Sequence, residues 1–378
     1  MRRYCLAALL PLASLALTAC SSLNPFASEP RLKPADLVAF KPTADVVVQW
    51  QASVGRGEEY VFSPAVVGES VYVAGADGSL ARLDAGRQVW RVQAGQPLSA
   101  GVGSNGRLVA VGTPKGEVLT FDAATGKPLW QVKVSSEILA APTVADDMVV
   151  ARSGDSRIYG LAATDGKRRW VYQRDTPTLA VRNSAGVVLG GRAILAGFPG
   201  GKLLALNPAN GGALWEATVA VPKGTTELER VADVTSLPVV YGSTVCAVAY
   251  QGRVACFELS NGKLLWSRDV SSTAGIDVDQ KAVYVSDDKG NVLAYDRSNG
   301  ASLWKQDKLS WRNLFKPLVA GSYLVVPDGL GVIHLLNLGN GSFAARYSGG
   351  KVMSDPKSFK EGFVVQMQDG TAYALSIR

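Results

Sequence analysis

A glycine followed four residues later by a tryptophan recurs along this chain: Gly86/Trp90, Gly126/Trp130, Gly166/Trp170, Gly211/Trp215, Gly262/Trp266 and Gly300/Trp304. Gly341 holds the glycine position once more, but Ala345 stands where the tryptophan would be. Trp50 precedes the series with no such glycine ahead of it. From Trp50 to Ala345 the steps are 40, 40, 40, 45, 51, 38 and 41 residues. A period near 40 that contains several short strands is the pattern of a four-stranded propeller blade.

Each repeat has one internal grammar: a strand of small residues, a turn, a β-branched strand, a glycine hairpin, a third strand, the glycine turn and the tryptophan strand. The first repeat shows all of it in Pro64-Ala65-Val66-Val67, Val71-Tyr72-Val73-Ala74, the Asp77-Gly78 turn, Leu80 to Leu83 and Val89-Trp90. Hairpins follow at Lys115-Gly116, Ser153-Gly154, Gly200-Gly201, Gln251-Gly252, Lys289-Gly290, Gly331 and Asp369-Gly370. The last repeat stops at Arg378 with three strands and no tryptophan strand. The beginning has the opposite surplus, because Val46-Val47-Val48-Gln49-Trp50 is a tryptophan strand with no repeat in front of it. The two complete one blade, and closure removes the open sheet edges. The expected fold is therefore all-β: an eight-bladed propeller of four-stranded antiparallel blades, closed by the N-terminal strand and spanning residues 46–378. In it the tryptophans pack between neighbouring sheets as structure rather than as a binding stack.

The amino terminus reads differently. Met1-Arg2-Arg3 is a basic start, Cys5 to Ala19 is almost all apolar, and Cys20 follows. That apolar run is short of the ~20 residues that span a bilayer, and it has the form of a secretory signal over residues 1–19. Leu17-Thr18-Ala19-Cys20 looks like a bacterial lipobox, which would make Cys20 the lipidated first residue of the mature chain, and by resemblance to sorted lipoproteins the absence of Asp after Cys20 favours the outer membrane over retention in the inner one. An ordinary signal cleaved near Ala19, leaving Cys20 a free thiol, is the alternative. Residues 20–45 are rich in Pro and Ser and read as a flexible tether with a reach of roughly 25–30 Å.

Composition excludes some functions. The net charge of +7 falls to about +5 without Arg2 and Arg3, and the basic residues are dispersed, so nucleic acid is not an expected partner. The single histidine, His334, alternates with apolar residues as a strand residue would. No Cys/His set has metal-ligand spacing, and no P-loop or Ser/His/Asp set is complete. No cofactor or metal is expected. Cys246 and Cys256 flank the Gln251-Gly252 hairpin. An oxidising compartment permits a disulfide between them, and the demanding geometry leaves two free thiols as the alternative.

Two steps outgrow the period, Trp170 to Trp215 and Trp215 to Trp266. The extra residues fall mainly in Asp175–Arg182 and Val221–Ser236, both connections from an outer strand to the next inner one, and so neighbours on one face. Loops that outgrow a repeat commonly carry binding. Leu179, Val181 and Arg182 in the first combine apolar groups with one arginine, the make-up of a protein hot spot. Asp233 and Thr235 lie in the second. A salt bridge between Arg182 and Asp233 that only stabilises the loops is the structural alternative.

The motif in Gly290-Asn291-Val292-Leu293-Ala294-Tyr295-Asp296 and Gly300 to Trp304 resembles the quinoprotein-type propeller repeat. With the lipobox in front, the whole chain resembles the BamB family, propeller lipoproteins of the β-barrel assembly machinery. That resemblance implies a non-enzymatic scaffold that docks the periplasmic POTRA domains of BamA and assists the folding and insertion of outer-membrane proteins, with unfolded precursors as possible further partners. It implies that Leu179 and Arg182 match a Leu-x-Leu-Arg contact segment, with Val181 for the second Leu. Asp233 matches the first acid of an Asp-x-Asp segment, and Thr235 departs from the second. The competing readings are a quinoprotein-type dehydrogenase, whose relatives carry a vicinal Cys pair that this chain lacks, and a scaffold for another envelope partner.

Overall fold

The structure, a computed structural model, describes residues 32–352 and 354–378. The expected signal segment, Cys20 and the tether as far as residue 31 lie outside the described residues. Thirty-two strands form eight four-stranded sheets, and no helix occurs among the described residues. Blade 1 runs from the channel outward as Ala65–Val67, Ser70–Ala74, Ser79–Asp84 and Arg87–Gln93. Blades 2 to 7 repeat the order along the chain. Blade 8 is Lys357–Phe359, Gly362–Gln366, Thr371–Ile377 and then Val46–Ser53, the N-terminal strand. It pairs antiparallel with Thr371–Ile377, from Val46 opposite Ile377 to Ser53 opposite Thr371. The ring closes as an eight-bladed propeller.

The middle strands are buried on both faces, which is why they read as continuous apolar runs rather than alternating ones. In Ser70–Ala74, Val71 and Val73 face blade 8 beside Val364 and Ala374. Tyr72 and Ala74 face blade 2 beside Val109 and Val111. The core is accordingly a series of layers between successive blades rather than one central mass.

The repeated glycine and tryptophan do not pair with each other. Each glycine lies on the tryptophan of the preceding blade. A Cβ placed on Gly300 would come within 2.5 Å of Trp266 Cε3, and Gly300 also has φ +72, a conformation that favours glycine. The same contact joins Gly86 to Trp50, Gly126 to Trp90 and Gly341 to Trp304. The indole N–H reaches the same neighbouring blade: Trp90 Nε1 donates to Ala123 O at 3.0 Å, Trp266 to Arg297 O at 2.7 Å and Trp304 to Leu338 O at 2.8 Å. Trp50 Nε1 has no acceptor among the described residues. The turn it meets, Ala85-Gly86, is shorter than the Ala123–Lys127 turn of blade 2 that serves Trp90.

All eight outermost strands carry a β-bulge one residue before the tryptophan position. Val89, Leu129, Arg169, Leu214, Leu265, Leu303, Ala344 and Gln49 are the residues skipped by the pairing. The bulge breaks the ladder on the outermost strand of each blade, the edge that faces away from the channel, a standard protection against edge-to-edge association.

Blade 7, the one with Ala345 for tryptophan, is covered differently. The stretch leading to Val46, read from the sequence as tether, runs along its outer edge. Thr43 N–H donates to Ala344 O at 2.9 Å and Ala35 N–H to Ser310 O at 2.8 Å. Arg312 donates to Ala35 O at 2.9 Å and Arg346 to Val38 O at 2.7 Å. The Arg346 guanidinium lies 4.7 Å from the Phe40 ring centre and 4.6 Å from that of Phe343. His334, in the strand Val332–Asn337 beneath, is fully buried.

Cys246 and Cys256 lie directly opposite each other in blade 5, both buried, and are joined as a disulfide. Cys256 also pairs across the next strand with Trp266.

Candidate functional site

In an antiparallel meander, the connections from outer to next inner strand and the hairpins between second and third strands end on the same face. On this face the two long connections meet. The first joins the strand Arg168–Tyr172 of blade 3 to Val188–Gly190 of blade 4, and the second joins Ala213–Thr218 to Val239–Tyr241 of blade 5.

Asp233 holds them together. Its side chain is only 1% exposed. Oδ2 accepts from the Val181 N–H at 2.7 Å and Oδ1 from the Gly200 N–H at 3.0 Å, while its carbonyl accepts from the Tyr250 N–H at 2.8 Å. The buried carboxylate thus fastens the first long loop and the blade 4 hairpin, and the backbone carbonyl of the same residue fastens the blade 5 hairpin. Thr235 is also buried, at the wall of the central channel, and its hydroxyl has no partner among the described residues.

Leu179 and Arg182 are the exposed members of the set. Leu179 is 42% exposed, and Val181 between them is half-buried. Arg182 forms a two-pronged ion pair with Glu137 of the blade 2–3 connection, with Nη2 to Oε2 at 2.9 Å and Nε to Oε1 at 3.2 Å. The hydrogen bond and charge of Glu137 hold the guanidinium above its ordinary pKa. Arg182 and Asp233 do not form the salt bridge considered from the sequence; each fastens a different pair of elements. The sequence reading missed Glu137, because nothing in the 40-residue period marks which connection will face Arg182.

The second long loop adds Val221 and Leu228, both well exposed. Its turn is shaped by Glu229, whose Oε2 accepts from the N–H groups of Thr225 and Thr226 at 2.9 and 3.1 Å. Those backbone hydrogen bonds hold the Glu229 carboxyl below its usual range. The face thus carries exposed aliphatic groups, the Arg182–Glu137 pair and the exposed charges of Lys223, Glu227 and Arg230 on a base of buried hydrogen bonds.

The central channel opens in a cavity of about 680 Å³ lined by the inner strands. Its wall mixes small apolar residues with serines and threonines, and it includes Lys316, Asp355 and Lys357. Burial pushes the Lys357 ammonium below its ordinary pKa. No group of three or more potential metal ligands occurs among the described residues.

Comparison with known proteins agrees with the architecture. The profile of the family described as "Outer membrane protein assembly factor BamB" matches residues 76–306, more than half of the chain. The chain belongs to the BamB family. The assembly factor BamB of Nitrosomonas eutropha is 46% identical over 355 residues, covering 93% of this chain and 87% of that protein. BamB of Bordetella pertussis is 42% identical over 362 residues, covering 94% and 93%. Among solved structures, BamB from Moraxella catarrhalis superimposes with a TM-score of 0.82 at 26% identity, covering 88% of this chain and 100% of that one.

Proposed function

We propose that this chain is a non-enzymatic scaffold subunit of the outer-membrane β-barrel assembly complex. It docks the POTRA region of BamA through the face that carries Leu179 and Arg182 and assists the folding and insertion of outer-membrane proteins. The lipid on Cys20 anchors it to the outer membrane, with the propeller in the periplasm.

The observation that carries this reading is the fastening of the two overgrown loops by Asp233, which presents Leu179 and Arg182 on a braced support. A preformed surface loses little conformational freedom on binding, and aliphatic groups beside an arginine are typical anchors. Val181 and Asp233 then serve as positioning residues, and Thr235 lies in the support beneath.

The test is a binding titration of the purified protein against the POTRA region of BamA, with Arg182→Glu alongside. The Arg182–Glu137 pair is exposed, so its loss costs at most about 1 kcal/mol of stability. The expected outcome is a variant that melts close to the parent and binds much more weakly. Parallel losses of stability and binding would show that Arg182 only braces the loops.

A further inference from the structure

Arg152 ends the second strand of blade 3, Met148–Arg152. In the other blades that strand ends in Ala74, Gly112, Phe198, Val248, Ser286, Pro327 and Gln366, so Arg152 is the one charge at this position. Its side chain is 7% exposed. The guanidinium lies 5.0 Å from the centre of the Phe198 ring, and Nη1 donates to Ala185 O at 3.3 Å. Among the described residues no carboxylate lies within ion-pair distance, and burial alone pushes its pKa down to about 10.

Of its five N–H donors only one meets an acceptor among the described residues, and a guanidinium this far from bulk water favours an anionic partner. A cavity of about 200 Å³ opens beside it, walled by Ser153, Ser156, Ala180, Arg182 and Asn183, with Glu137 at its edge. Glu137 is committed to Arg182. The three charged groups of the wall, Arg152, Arg182 and Glu137, therefore leave one positive charge unmatched. One anionic group of a single charge fits, and a polyanion would be repelled by Glu137. The planar fork of an arginine matches a carboxylate with two parallel hydrogen bonds.

We propose that this cavity is a carboxylate-binding subsite, filled by an Asp or Glu side chain of the partner docked on the Leu179–Arg182 loop. The assignment of the carboxylate to the partner rests on the docking reading above; the subsite itself does not. The loop that carries the exposed anchors forms one wall of the cavity through Ala180 and Arg182, so an acidic side chain entering there would sit beside the docked surface.

The experiment uses the purified protein, its Arg152→Met variant and two probes, sodium acetate and the POTRA region of BamA. Acetate should raise the melting midpoint of the parent above that in chloride at equal ionic strength, and leave Arg152→Met unmoved. The partner should bind Arg152→Met about tenfold or more weakly, as the loss of a charge-assisted hydrogen bond requires. The variant, relieved of an unpaired buried charge, should melt no lower than the parent. Should the variant not fold, acetate added to the parent alone must still weaken partner binding in competition. Equal effects of acetate on parent and variant would overturn the subsite. An acetate response confined to the parent, with partner affinity unchanged by Arg152→Met, would overturn the partner as the source and leave a free carboxylate as the ligand. A parent that responds to acetate and does not bind the POTRA region would overturn the docking reading while sustaining the subsite.

Discussion

His334 Nε2 lies 2.9 Å from Asp328 Oδ2, and both side chains are fully buried. Burial pushes the Asp328 carboxyl upward, but hydrogen bonds from His334, the Val332 N–H and Arg312 outweigh it and hold the group below its usual range. Asp328 is therefore ionised and can only accept, so His334 carries its proton on Nε2. His334 Nδ1 is left as the acceptor for Arg346 Nε, at 3.3 Å. Arg346 also grips Val38 O, and Arg312, bonded to Asp328 Oδ2 at 2.7 Å, grips Ala35 O. The single histidine thus sits under the clasp that holds residues 35–44 to blade 7.

This makes the clasp sensitive to acid. Burial lowers the His334 pKa from 6.5, more than the pull of Asp328 raises it, and Arg346 and Arg312 lower it further. The closed form therefore binds its proton less readily than an opened or unfolded form does. Above about pH 6.5 His334 is neutral in both forms and has no effect. As pH falls from there toward the lowered value, the open form is favoured, by about tenfold per pH unit. Protonated Nδ1 can no longer accept from Arg346, and three cations would then share one Asp328. Hydrogen-exchange protection of the Ala35 and Thr43 amides should fall between pH 7 and 5 while that of Leu324 in the blade core holds. In His334→Gln the fall should vanish. Asp328 titrates lower, so a loss confined to pH below about 4 would point to it instead.

The glycine–tryptophan contacts predict a large effect from a small change. Gly300→Ala adds a methyl group where Trp266 Cε3 would be 2.5 Å away, at φ +72. It should cost at least about 2 kcal/mol, from the left-handed backbone and the displaced ring together. Gly321→Ala is the control, also at positive φ (+60) but with open space around the position, and should cost only about 1–2 kcal/mol. Urea unfolding of both variants checks the difference; equal losses would mean that the backbone alone needs these glycines.

The disulfide predicts a change in stability through a small loop. Cys246 and Cys256 are 10 residues apart, a loop for which cross-linking contributes about 2–3 kcal/mol by restricting the unfolded chain. Thiol titration of the unfolded, unreduced protein should find neither of these sulfhydryls. Reduction should lower the unfolding midpoint, and Cys246→Ala/Cys256→Ala should be insensitive to it. Two titratable thiols at these positions would show that the pair is not bonded in the isolated protein.

What the sequence determined by itself was the repeat. The blades and their hairpins were legible because hairpin pairing is local and short strands with glycine turns need only short stretches of chain, and the borrowed N-terminal strand was legible because one strand is surplus at the start of the repeats and one is missing at the end. The two overgrown connections were legible for the same reason, as departures from a fixed length. Tertiary structure decided which residues meet across blades. Gly300 meets Trp266 and not the Trp304 of its own motif, because the contact crosses a blade boundary. That explains two gaps left open by the pattern: Trp50 has no glycine ahead of it because the blade before it, blade 7, has no tryptophan, and both gaps fall where residues 35–44 run along the ring. The burial of Asp233, the partnership of Arg182 with Glu137, and the isolation of Arg152 were likewise set by loops from different blades converging in space. Charge on a loop can be read from a sequence; whether it faces water, a backbone amide or an unfilled cavity depends on neighbours tens of residues away.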